Sequence, residues 1–159
     1  MDDDWAVLPP PVPKSKVVKK LPDSDKLFEE QVIWMRNASW ATVHNELPVE
    51  SGRLCIKVCD CRDMKNERDL FAGLAQILDF PDWFGWNWDA LEDLLGDLDW
   101  IEKDLVLVIK SAQTLRAALR NRYRILVPAL YYVTYYAPDT SRKFAGGWRR
   151  CVVIQSDES

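Results

Sequence analysis

Nine carboxylates and one cation, Lys103, occupy the stretch from Asp79 to Asp104. Asp89, Asp93 and Asp97 recur at every fourth position. At about 100° per residue they share one side of a helix with Glu92, while Leu91, Leu94, Leu95 and Leu98 fall on the other. Like charges four apart cost a helix roughly 0.2–0.5 kcal/mol per pair, so helix stability does not explain the stripe. One chemistry that suits it is coordination of Mg²⁺ or Ca²⁺ by oxygen ligands. Carboxylates strung along a single helix cannot surround an octahedral ion, however, and only Asp79, Asp82 and Asp104 are at hand to complete a shell. A merely solvated acidic face is a second alternative. Asp89 suits it, because the first turn of a helix favours an acid, but Asp93 and Asp97 have no such reason. The third is docking of a cationic partner. Trp83, Phe84, Trp86, Trp88 and Trp100 crowd the same stretch, and large aromatics beside charge make interface hot spots. Trp88 and Phe84 face a core, whereas Trp83 and Trp86, on either side of Gly85, are the exposed candidates.

Other catalytic chemistry is poorly supplied. His44 is the only histidine and has no evident partner in sequence. No P-loop, GxSxG, HExxH or GxGxxG string occurs, so no catalytic residue, metal site or cofactor is assigned. A formal net charge of −4 argues against direct nucleic-acid binding. That total hides an asymmetry, because Asp79 to Asp104 carries −8 and the remainder +4. The absence of a signal-like apolar run or a stretch near the ~18 apolar residues of a membrane span predicts a soluble, cytoplasmic protein without membrane contact. Cys55, Cys59, Cys61 and Cys151 lack paired CxxC spacing and read as buried free thiols.

The elements that must position the acidic face follow from periodicity. Residues 1–26 mix acids, a proline run and lysines without a sustained period, and read as a flexible arm. Residues 27–50 form an N-terminal extension in which Val32–Met35 and Trp40–Val43 flank Arg36-Asn37-Ala38-Ser39 and suggest a hairpin. From Leu54 the chain reads strand (Leu54–Cys59), helix (Glu67–Leu78), helix (Asn87–Leu98, capped by Asn87), strand (Leu105–Ile109), a helix capped by Ser111 and ending near Leu119, a helix (Arg124–Tyr136) containing Pro128, and strand (Cys151–Ile154). The all-apolar Leu105–Ile109 strand should be central and covered on both faces. Helical crossovers between the strands predict an α/β fold with a small three-stranded parallel sheet flanked by about four helices.

The run from Leu78 to Leu95, with its Pro81, aromatic pair Trp83-Phe84, Gly85, and Asn87-Trp88-Asp89-Ala90-Leu91-Glu92-Asp93, resembles the barstar family of intracellular ribonuclease inhibitors. The likeness extends more loosely over Leu54 to Ile154, giving a barstar-like domain at 51–157. It implies that the chain is no enzyme and that it inhibits a basic, secreted, barnase-type ribonuclease, giving cytoplasmic immunity to that toxin by phosphate mimicry. Asp93 matches the aspartate that enters the nuclease active site, and Asp89 its neighbour one turn earlier. Trp83 stands at an interface tyrosine, Gly85 and Asn87 match the binding loop, and Glu92 replaces an interface aromatic. With Trp86 and Asp97 these form the candidate partner-binding surface. A family glutamate on a later helix has no counterpart, since Leu105 to Pro138 contains no acid while Arg116, Arg120, Arg122 and Arg124 make it basic. The alternatives are a carboxylate-based metal-dependent hydrolase and an interaction module for an unrelated basic protein.

Overall fold

A computed structural model describes residues 15–18, 20–22, 24–28, 32–135 and 148–157. Five parallel strands form one sheet in the order β1-β2-β5-β4-β3: β1 Ser15–Val17, β2 Val32–Met35, β3 Leu54–Asp60, β4 Asp104–Lys110 and β5 Arg150–Gln155. The helices are α1 Ser24–Leu27, α2 Trp40–Glu46, α3 Glu67–Leu78, α4 Trp88–Asp97, α5 Ala112–Leu119 and α6 Tyr123–Tyr135, with a 3-10 turn at Arg120–Arg122. No described helix is long and apolar enough to cross a membrane.

The all-apolar β4 is explained by cover on both sides. Leu105, Leu107 and Ile109 pack with α3 to α6, and Val106 and Val108 pack with Leu21, Leu27 and Val43 from the segments around α1 and α2. Strand β5 alternates likewise, with Val152 and Ile154 on one face and Cys151 and Val153 on the other. Connections stepping one way along the sheet use one face and those stepping back use the other, as right-handed crossovers require. All four cysteines are buried free thiols.

The sheet is larger than the three strands expected. Strands β3, β4 and β5 are those three, and β1 and β2 extend the sheet beyond β5, which makes β5 rather than β4 the middle strand. The hairpin expected in residues 27–50 does not form. Val32–Met35 pairs in parallel with β5, in the register Val32 to Val152. The second half becomes α2, because the Ser39 side chain accepts from the Thr42 N–H and caps it. A place beside β5 buries Val32, Ile33 and Met35 completely, whereas an isolated two-stranded hairpin is marginal in water. Part of the arm expected at 1–26 is instead structured. Ser15–Val17 is a strand, and Leu21 is buried with its N–H donating to Glu46 Oε1 at 2.6 Å. Residues 1–14 lie outside the described residues, as do Tyr136 and the expected chain break at Pro138, Gly146 and Gly147.

Ser111 does not cap α5 through its side chain. It adopts φ 62°, and its N–H donates to Oε1 of the buried Gln155 side chain at 2.8 Å. Pro128 lies inside α6, whose Tyr131, Leu126 and Leu130 reach the core.

Candidate functional site

Helix α4 is set in place at both ends. Asn87 Oδ1 accepts from the Ala90 N–H at 2.8 Å, and Asn87 Nδ2 donates to the Gly85 carbonyl at 3.2 Å, tying the preceding loop to the cap. A Cβ on Gly85 would stand 3.2 Å from Asn87 Nδ2, so glycine allows that close approach. At the other end Leu98 is a left-handed C-cap whose N–H donates to the Leu94 carbonyl. The buried guanidinium of Arg150 donates to the Leu98, Ile101 and Lys103 carbonyls at 3.2, 3.1 and 2.7 Å, placing a cation where the helix dipole is negative. Leu91, Leu94 and Leu95 are buried against the core, so the opposite side must face solvent.

The loop before α4 rests on aromatic packing. Phe84 meets Phe71 and Phe80 edge to face, at centroid distances of 6.0 and 5.0 Å. Trp88 packs on Phe71 at 5.1 Å and donates its indole N–H to Glu67 Oε1 at 3.2 Å. Glu67 Oε1 also accepts from Arg122 Nη1, so one carboxylate joins α3, α4 and the 3-10 turn. Trp100 donates to the Leu78 carbonyl at 2.7 Å. Trp83 stands apart from this packing, at 75% exposure. Trp86 is also exposed, with φ 55° and the Arg68 guanidinium 4.9 Å from its ring centroid.

Asp89, Asp93 and Asp97 are exposed and Glu92 is half-buried. Among the described residues neither Asp89 nor Asp93 is joined to a cation. Burial pushes the Glu92 carboxyl above its usual range, and the nearby charges of Asp89 and Asp93 push it further. Asp89 and Asp93 therefore present negative charge on a helix fixed at both ends, beside an exposed tryptophan pair, an arrangement suited to guanidinium and ammonium groups of a partner. Among the described residues no group of three His, Cys, Asp or Glu converges as a metal cage. Asp104, named above as a possible ligand, is instead committed to Arg149, accepting from its Nε, Nη2 and backbone N–H at 3.1, 2.9 and 2.6 Å.

All eight sequence-derived residues fall on one continuous segment: Trp83, Gly85, Trp86 and Asn87 in the loop, and Asp89, Glu92, Asp93 and Asp97 on α4. Periodicity does not reveal Arg68, Glu67 or Arg150, because each acts through a neighbour distant in sequence. Their only trace is a charge bordering an element, Glu67 and Arg68 opening α3 and Arg150 opening β5.

The family described as Barstar (barnase inhibitor) matches residues 55–145, from β3 to shortly before β5. A Bacillus subtilis (strain 168) protein named "Putative ribonuclease inhibitor YrdF" is 43% identical over 54 residues, 34% of this chain and 57% of the relative. The chain thus spans little more than half the length of that relative.

Proposed function

The chain belongs to the barstar family, and from that premise we propose that it is a non-enzymatic ribonuclease inhibitor whose α4 face occupies the cationic active site of its target. The observation that carries the reading is the exposure of Asp89 and Asp93 without a cation of their own among the described residues. A ribonuclease gathers Lys, Arg and His around a phosphate of its substrate. Carboxylates preset at matching positions replace that phosphate and exclude RNA. Their field also speeds the encounter, an effect for which barnase and barstar are themselves the reference pair. Trp83 and Trp86 supply the apolar anchors beside the charge, and Gly85 and Asn87 hold the loop that presents them.

The partner in this reading is a basic, secreted nuclease of the barnase type, and the inhibitor protects the cytoplasm of the cell that makes it. Four buried free thiols support a reducing compartment. The basic turn, with Arg122 bound to Glu67, supports a target whose contacts there differ from those met by an acidic helix. The test is titration of a barnase-type nuclease with the full chain while RNA cleavage is followed. Stoichiometric loss of cleavage is expected, and undiminished cleavage at saturating protein rejects the proposal.

A further inference from the structure

A pocket to which α4 contributes no lining residue lies at the C-terminal edge of the sheet. Helix α2 follows β2 on one face and α5 follows β4 on the other, so the connections diverge around the C-terminal end of β5, which lies between those strands. Open parallel sheets receive ligands in the crevice outside their strand ends at such a switch point. That pocket, of about 150 Å³, opens there, lined by Trp34, Arg36, Gln113, Arg116, Tyr123 and Ser156. Residues brought in by β2, β5, α5 and α6 thus meet at one place.

The lining selects a charge sign and a size. Arg36 lies over the Trp34 ring at 5.6 Å, which holds its planar fork beside the opening. Arg36 and Arg116 both line the pocket beside Tyr123; burial pushes the Tyr123 hydroxyl pKa up to about 12, a rise that Arg116 and Arg36 oppose and Cys61 adds to. Asp157 borders the site, its N–H donating to Gln113 Oε1 and its Oδ1 accepting from Gln155 Nε2, each at 3.2 Å. The pocket is smaller than the roughly 300–1,000 Å³ that drug-sized ligands fill, which suits a compact oxyanion head group. Guanidinium pairs grip phosphoryl oxygens in bidentate fashion.

We propose that this pocket binds a phosphoryl group, as inorganic phosphate or as the head of a small phosphate ester, between Arg36 and Arg116 with Gln113 as a further donor. The test titrates orthophosphate and adenosine 5′-monophosphate separately into the full chain, following the Trp34 indole and Gln113 amide signals by NMR and affinity by calorimetry. Saturable shifts confined to the pocket are expected. Equal affinity for the two probes assigns free phosphate as the ligand, and tighter binding of the nucleotide assigns an ester whose organic part rests on Trp34. Arg36→Gln and Arg116→Gln, both at exposed positions, should each weaken binding at least about tenfold. Asp157→Asn should tighten it, and Asp93→Ala should leave it unchanged. The proposal is overturned if neither probe saturates up to tens of millimolar, if acetate reproduces the shifts, or if the folded arginine variants bind as the wild type does.

Discussion

Asp93 stands at the middle of the ridge, one helical turn from Asp89 and one from Asp97, so it carries the largest share of a field that its own helix does nothing to neutralise. Asp93→Ala is expected to weaken the nuclease complex by more than about 2 kcal/mol, roughly thirtyfold in Kd, with thermal stability unchanged or slightly raised. Calorimetric affinity equal to wild type would remove Asp93 from the site. Glu92 makes a prediction of opposite sign for the free protein. Its raised carboxyl pKa means that the folded state holds the proton more tightly than the unfolded chain does. The ionised group therefore costs stability fully above that raised pKa, and the cost vanishes as pH falls below the ordinary glutamate range. Glu92→Gln should raise Tm at neutral pH by about 1–2 °C, from relief of the burial cost of the charge and of its repulsion by Asp89 and Asp93. The gain should disappear near about pH 3, and scanning calorimetry at both pH values checks it.

At the scale of the element, the proposed complex asks α4 to be both scaffold and binding surface, and its two ends are held by different means. The N-terminal cap is local. Asn87→Ala removes the acceptor for the Ala90 N–H and the tie to Gly85, and should cost about 1 kcal/mol in urea unfolding. It should weaken partner binding as well, because the loop carrying Trp83 and Trp86 loses its anchor. The other end depends on a long-range contact. Arg150→Met removes the donor that the Ile101 and Lys103 carbonyls share and one of the two donors to the Leu98 carbonyl, and should cost more than about 2 kcal/mol in the same measurement. If Arg150→Met unfolded with the wild-type midpoint, the guanidinium would have no role in fixing the helix.

Over the whole molecule, the N-terminal strands complete the sheet rather than decorate it. Every residue of β5 is buried between β2 and β4. Removing the first 35 residues would turn β5 into a bare apolar edge, and the truncated protein is expected to elute as aggregate in size-exclusion chromatography, whereas the full chain does not. Charge asymmetry also acts at this scale. Docking through an acidic face predicts that association with the nuclease slows steeply as salt rises while dissociation changes little, measurable by stopped-flow fluorescence.

Sequence alone was sufficient for the parts of this protein whose causes are local. The period of the leucines and acids placed α4 and its exposed side, Asn87 announced the cap, and the unbroken apolar run of β4 declared a strand covered on both faces. Three strands and the helices between them were legible for the same reason. What the tertiary structure decided rests on partners far apart in the chain. The segment around Trp40 has β-rich composition, yet it is a helix capped by Ser39, while β2 before it pairs with β5. Gln155 reaches the Ala38 carbonyl across 117 positions, Arg150 closes α4 from the last strand, and the arginine-lined pocket exists only where β2, β5 and α5 converge. Periodicity records which side of an element is buried. It carries no record of which distant element does the burying, and that choice is made by packing.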